Sequence, residues 1–344
     1  MKQWHARRVQ MSGGSTIIVS LPKEWVDRVE LKRLDEVLLV PQPDGSLYIL
    51  PRKPHPEETV IQVSARDMPD VILRQYISRY LAGFSTIRIK FQKNAPELAQ
   101  SIKEQARRML IGVEVVEESS EEMLTQCLPA HSNLPLKKAI ERMGNIASGM
   151  QKDAMRTLEE RNERMAQQIV QRDEEVDRFY HFIVRQLNLA VSNPLVLSSL
   201  EIANRQDCLS YIVVAKSIER AADHAVAISK LVSFGTKEKS SAHTYMKKAG
   251  LLSNELFEEA LKAMLSSDAE AANEVITRTE EVIRLTDIIS TKVSSTIGNP
   301  SLALSTRLVV ESIKRIAEYA ADMSEAVVNL SVAKPRMTWA SQTL

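Results

Sequence analysis

The sequence predicts a mainly α, multi-domain protein: a β-rich N-terminal domain, a small α/β middle domain, and a C-terminal pair of three-helix bundles. Three observations carry this expectation. The composition is poor in aromatic residues (5%) and glycine (10 residues) and rich in methionine (13 residues), a bias toward helix formers. The opening stretch instead alternates apolar and polar residues in short runs broken by Gly and Pro, which is the pattern of strands and turns. Beyond it the chain repeats itself: residues 140–194 match 246–300 at a constant offset of 106, and the match resumes further on at an offset of 95. Such self-similarity marks a duplicated supersecondary unit. The expected domains are 1–53, 54–132 and 133–335, with the two copies at about 135–235 and 242–333.

Composition also excludes some classes. A formal net charge of +1 leaves no global basic tail, so any nucleic-acid contact has to come from a local patch. Cys127 and Cys208 form neither a disulfide framework nor zinc spacing and are expected as small buried groups in a reducing compartment. Met1-Lys2-Gln3-Trp4-His5 leads into no apolar run, and no segment approaches the roughly 20 apolar residues of a membrane span. A cytoplasmic location without membrane insertion is expected.

In the first 53 residues, strands are expected at Arg8–Met11 and Thr16–Leu21, with Gly13-Gly14 as the turn between them. Pro22 then opens a short helix over Lys23–Val29. Strands at Glu36–Val40 and Leu47–Leu50 flank Asp44-Gly45, a strong hairpin signal. Some 50 residues cannot bury a core alone, so pairing with a second copy follows. The runs Arg7-Arg8-Val9, Ile17-Ile18-Val19-Ser20-Leu21-Pro22-Lys23-Glu24-Trp25 and Leu34-Asp35-Glu36-Val37 resemble the AbrB/SpoVT swapped-hairpin domains. That resemblance implies a DNA-binding homodimer. Ser15 and Val26-Asp27 stand where the family typically carries arginine. Arg7, Arg8, Lys23 and Arg28 are the candidate phosphate contacts.

The middle segment reads as strand Val60–Val63, helix Asp70–Leu81, strand Thr86–Phe91, helix Ala95–Ile111 and strand Val113–Val116. The run Glu117–Glu122 is expected as a solvated loop and helix start. The segment holds no phosphate loop and no nucleophile–histidine pair, so a spacer or dimer-contact role is the default.

Each copy of the repeat reads helix, short break, helix, Asn-Pro break, helix. Ser267-Asp268-Ala269-Glu270 fits a capping box, and Asn162 is the counterpart of Asp268. In the first copy Asp173 and Asp177 are four residues apart, as are Glu219 and Asp223, so each pair shares a helix face. Both pairs fall at the edge of apolar stripes: Ile169, Val176, Tyr180, Ile183 and Leu187 in one helix, Ile212, Ala215, Ala222 and Val226 in the other. Carboxylates beside a core need counter-charge. A hard cation held by oxygen ligands would supply it; so would ion pairs to Arg172, Arg178 or Arg220. His181, four residues after Asp177, is a further candidate ligand. His224 projects about 100° away from Asp223 and is read as lying outside the donor set.

Asp173-x-x-x-Asp177 and Glu219-Arg220-Ala221-Ala222-Asp223-His224-Ala225-Val226-Ala227-Ile228, echoed by Lys314-Arg315-Ile316-Ala317-Glu318-Tyr319-Ala320, resemble the PhoU regulators of phosphate uptake. The likeness spans roughly residues 135–333. It implies a metal ion held by Asp173, Asp177, Glu219 and Asp223, divalent or trivalent, with iron, zinc, magnesium or manganese all open. The second copy has Thr279, Ile283 and Lys314 at the corresponding places and keeps only Glu318, so one site is expected, in the first bundle. The resemblance further implies a non-enzymatic regulator of phosphate homeostasis, combining DNA binding with a metal-binding helical sensor. The alternative is an adaptor that contacts a phosphate transporter or its ATPase and never touches DNA.

Overall fold

The structure is a computed structural model that describes all residues except 1–4, 43–44, 52–57, 65–66, 93–95, 129–133, 233–240, 297–298 and 333–344. Asp44 of the expected hairpin turn lies outside the described residues, as do Pro54 and Pro56, which with Pro51 read in the sequence as a linker. The chain divides into two compact units between His55 and Pro56.

In the first unit, β1 (Gln10–Ser12) pairs antiparallel with β2 (Thr16–Ile18) around Gly13 and Gly14, whose φ of 64° and 86° only glycine adopts freely. Helix α1 (Lys23–Arg28) follows Pro22. Strand β3 (Val37–Pro41) pairs antiparallel with β4 (Leu47–Pro51). The two hairpins do not pair with each other. No residue of β1, β2 or α1 is buried, and Met11 and Ile17 are 73% and 69% exposed.

The second unit opens with β5 (Glu58–Val63), α2 (Pro69–Ala82), β6 (Thr86–Phe91), α3 (Pro96–Met109), β7 (Val113–Glu118) and β8 (Glu122–Cys127). The sheet order is β5-β6-β8-β7, with β5 parallel to β6 and the other pairs antiparallel. The expected loop and helix start at Glu117–Glu122 is instead the end of β7, a tight turn and the start of β8. Ser119 closes that turn, its Oγ accepting from the amides of Glu121 and Glu122. Strand β8 lies between β6 and β7, with Met123, Leu124, Thr125 and Cys127 buried. Tyr76 of α2 is fully buried, and its hydroxyl donates to Thr125 Oγ1 at 2.6 Å.

The bundles follow. The first copy is α4 (Leu136–Glu160), α5 (Glu163–Ser192), the short α6 (Pro194–Ser199) and α7 (Asp207–Ser229); the second is α8 (Ser241–Ser266), α9 (Ala269–Thr296) and α10 (Pro300–Ser331). Asn162 and Asp268 cap their helices: Asn162 accepts from Met165 N at 3.1 Å, and Asp268 accepts from Glu270 N and Ala271 N at 3.1 and 3.0 Å. The expected capping box does not form, since Ser267 lies one residue before the cap at φ 57° and its amide donates to the Met264 carbonyl. Asn193 and Asn299 each cap the helix that their Asn-Pro step opens. After that step the copies diverge. In the second, α10 runs on for 32 residues; in the first, the helix stops after 6 and restarts at Asp207. The longer connection buries Leu197, Leu200 and Ile202 in the same continuous core as both copies.

Residues related by the repeat offsets meet across the two copies, which gives the bundle pair a two-fold-like arrangement. Asn254 Nδ2 donates to Ser148 Oγ at 3.2 Å, and these two are partners at the offset of 106. His224 and Tyr319, partners at the offset of 95, have ring centroids 5.9 Å apart. A Cβ on Gly144 would lie 2.5 Å from Leu261, and one on Gly250 would lie 2.8 Å from Met155; Leu261 and Met155 are again partners. Each first helix therefore lacks a side chain where the other copy's large side chain enters.

The α/β domain is docked on the first bundle through α2 and α3 against α5. Arg185 of α5 is 6% exposed, donates to the Tyr80 carbonyl and lies 4.8 Å over the Tyr80 ring. Asn188 donates to the Leu81 carbonyl at 2.8 Å. These carbonyls belong to the last turn of α2, where positive charge is favoured; that of Tyr80 also accepts from Gly83 N at 3.1 Å. Gly83, at φ 100°, ends that helix and leaves room for Leu189, which a Cβ would meet at 2.7 Å.

Candidate functional site

Helices α5 and α7 pack along their lengths. The apolar stripes bury as expected: Ile169, Val176, Ile183 and Leu187 on α5, and Ala215, Ala222 and Val226 on α7, are in the core. Asp173 and Asp177 follow at the stripe edge and are half-buried. Across the seam, Glu219 is half-buried with its side chain 14% exposed, and Asp223 is exposed.

The four acids act on one another. Burial first, then the charges of Asp223 and Glu219, push the Asp173 carboxyl up to about 6. Burial, followed by Asp173, Glu219 and Asp223, pushes Asp177 up to about 7. Both shifts come from taking a carboxylate out of water and setting it beside like charge. The acids of α5 and α7 are thus near enough across the seam to repel one another. Of the arginines considered above, Arg172 turns away from them to Asp153 at 2.6 Å.

Two lysines, Lys216 of α7 and Lys230 just past its C-terminal end, bracket the seam instead, and sequence reasoning passed over both. Lys216 lies 2.6 Å from Glu219 and lowers Asp177; Lys230 lowers Asp173. Lys216 donates a hydrogen bond to Glu219 Oε1. Glu219 Oε2, buried, is at ion-pair distance from the same ammonium but outside the hydrogen-bonding direction, so it accepts none. The signal was present: Lys216, Glu219, Asp223 and Lys230 are spaced at three, four and seven residues, one face of a helix.

The donors are all oxygen, as a hard cation requires, and Glu219 Oε2 is a buried oxygen with no hydrogen bond. Among the described residues, however, no three His, Cys, Asp or Glu side chains close around one point as a metal cage. The chemistry of the seam suits a hard cation; its side chains, as they stand, do not converge on a common centre.

The histidines point elsewhere. His181 Nδ1 is 3.3 Å from the Met109 carbonyl of α3; a carbonyl only accepts, so Nδ1 carries the hydrogen, and burial lowers the pKa of the ring. His224 packs against Tyr319, away from the seam. In the second bundle Lys314 and Arg315 lie 3.9 and 2.5 Å from Glu318, and Thr279 Oγ1 donates back to the Val275 carbonyl. Glu318, the one acid left at the corresponding positions, is paired within its own helix.

The four candidate DNA contacts, Arg7, Arg8, Lys23 and Arg28, are all exposed. Two precede β1 and two lie on α1.

The PhoU domain family matches residues 140–232 and 246–327, just over half of the chain, one match per bundle. The chain belongs to the PhoU family. Residues 10–57 match a second family, "Antidote-toxin recognition MazE, bacterial antitoxin", of the swapped-hairpin kind expected from the sequence. Two relatives are both called "Phosphate-specific transport system accessory protein PhoU homolog". One, from Caulobacter vibrioides, is 32% identical over 29% of this chain and 40% of its own length. The other, from Clostridium acetobutylicum, is 26% identical over 43% of this chain and 66% of its own length. The match thus spans less than two thirds of either relative. The crystal structure of the phosphate transport system regulatory protein PhoU from Streptococcus pneumoniae superposes with a TM-score of 0.50 at 20% identity, over 57% of this chain and 92% of that one. That likeness concerns the fold. Among the described residues no helix is long and apolar enough to cross a membrane.

Proposed function

We propose that this chain is a non-enzymatic regulator of phosphate transport, whose N-terminal unit forms a DNA-binding homodimer and whose first bundle holds one metal ion. The observation that carries the sensor half is the acidic seam of Asp173, Asp177, Glu219 and Asp223, two of whose carboxyls are raised by burial and then by mutual repulsion. Those four residues would hold the ion, which would add to the positive charge that Lys216 and Lys230 bring to the seam. Lys314 and Ile283 support restricting the site to the first bundle.

The DNA half is supported by the MazE-family match and by the exposed bases Arg7, Arg8, Lys23 and Arg28. It is tested by gel shift on the promoter of a phosphate transporter gene across a salt series. Wild-type protein is expected to retard the duplex with steep salt dependence, and Arg7→Ala/Arg8→Ala, which removes four arginines from the homodimer, to weaken binding and flatten the slope by roughly 3–4 units. No retardation at low salt removes this half. The metal half is tested by elemental analysis of protein purified from cells. One equivalent in the wild type and none in Asp173→Ala/Asp177→Ala is expected; equal content in both removes it.

A second reading, the adaptor, is favoured by one observation. Leu209 and Val213 on α7 are 67% and 44% exposed, and their offset partners Leu304 and Leu308 on α10 are 61% and 48% exposed. Both bundles thus keep an apolar pair at the same place on the third helix, as a contact with a protein partner would use. Retention of a transporter component without any DNA affinity would select this reading.

A further inference from the structure

We propose that Lys216 is a tethered cation that occupies the acidic seam in the metal-free state and sets the threshold at which a metal ion enters. Here the seam is taken as cation-binding, as proposed above. Three observations support the assignment.

The first is position. Lys216 Nζ lies 2.6 Å from Glu219, whose side chain is 14% exposed. A metal ion using Glu219 would have to break this ion pair or accept a positive charge beside it. Both raise the concentration of ion needed.

The second is a further hold on the ammonium. Lys216 Nζ is 4.9 Å from the centroid of the Tyr180 ring on α5, a distance at which a cation and a ring face attract. In one position it thus contacts both Glu219 of α7 and the ring of α5, which together keep it at the seam. Tyr180 in turn adjoins His181, with ring centroids 5.8 Å apart, and His181 reaches the α/β domain at Met109. Any shift of Lys216 is therefore made against the part of α5 on which that domain is docked.

The third is the internal comparison that the duplication provides. At the offset of 95, Lys216 corresponds to Glu311, Glu219 to Lys314, Asp223 to Glu318 and Lys230 to Glu325. The bracketing lysines are present in the copy that has the acids on its second helix. In the copy where Thr279 and Ile283 replace those acids, both lysines have become glutamate and Glu219 has become lysine. Lysine at 216 and 230 goes with the acid set, which a role confined to general solubility would not require.

The test is calorimetric titration of the full-length, chelator-treated protein with Mn²⁺, comparing wild type, Lys216→Met and Lys216→Arg. Lys216→Met keeps the aliphatic stem and removes the charge, and is expected to bind Mn²⁺ about tenfold more tightly, as loss of one partly buried ion pair implies. Lys216→Arg keeps the charge and is expected to stay within about threefold of wild type. Circular dichroism melts of all three report folding. Unchanged or weaker Mn²⁺ binding by folded Lys216→Met, with stoichiometric binding by wild type, overturns the role of Lys216 and leaves the metal reading intact. Failure of wild type and both variants to bind Mn²⁺ overturns the metal reading and the role of Lys216 with it.

Discussion

At the scale of single residues, the seam trades stability for readiness to take up positive charge. Asp177 has an ordinary carboxyl value of 3.8 when unfolded and holds its proton to about 7 when folded. Between those values the folded chain binds a proton that the unfolded chain has released, so stability falls as pH rises through this window. The penalty is absent below pH 4 and complete above about 7. Removing the charge should therefore stabilise the metal-free protein at high pH only. Asp177→Asn is expected to match wild type at pH 4 and to exceed it by roughly 2 kcal/mol at pH 8 with chelator present, a value discounted for partial solvation and coupling among the acids. Urea unfolding at both pH values measures it, and a difference that does not change with pH would contradict the assignment. Added metal should close the gap at pH 8 by stabilising wild type but not the variant. The acids themselves were legible in the sequence because helical spacing fixes their angular position. The bracketing lysines were not singled out, because a lysine three residues from a glutamate is an ordinary surface pair until α5 packs over α7.

At the scale of elements, helix ends and helix crossings decide what holds the second unit together. The α/β domain is fixed to the bundle by α5 capping the C-terminal carbonyls of α2 through Arg185 and Asn188. Arg185→Met keeps much of the volume but leaves the cap unmade; it is expected to cost about 2 kcal/mol and to speed amide exchange in the last turn of α2. Unchanged exchange there would mean that the docking does not depend on this side chain. In the other direction, Gly144→Ala gains helix propensity but sets a methyl 2.5 Å from Leu261, and a net loss of about 1–2 kcal/mol in urea unfolding is expected. Unchanged or raised stability would show that Leu261 can step aside. Long periodic helices and their Asn and Asp caps were legible, since pattern and cap chemistry agree locally. Strand β8 was not: its apolar residues form a short run behind six residues of Glu and Ser, and what makes it a strand is pairing with β6 and β7, which end 31 and 4 residues before it starts. The role of Arg185 was hidden for the same reason, as its partner carbonyl is 105 residues away.

At the scale of the whole molecule, the N-terminal unit exposes what a folded unit of its size should bury. Its two separate two-stranded hairpins have no common sheet, and a lone hairpin is marginal in water. Val9, Met11, Ile17, Leu39 and Leu47 are 53% to 73% exposed. A second copy would cover these side chains and join the hairpins into a shared core, which is how the duplicated bundle already completes itself within one chain. Full-length protein is therefore expected to run in light scattering at twice the chain mass of 38.7 kDa. Ile17→Lys places a charge on the face to be covered and should shift the population to monomer at micromolar concentration. Because DNA contact through Arg7 and Arg8 would need two arms presented together, the same variant should also lose most of its DNA retention although both arginines remain. Arg7→Ala/Arg8→Ala should do the reverse, keeping the dimer mass while losing DNA. A wild-type protein that is monomeric across the concentration range would refute the dimer, and a monomeric Ile17→Lys that still binds DNA at wild-type strength would separate DNA binding from dimerisation.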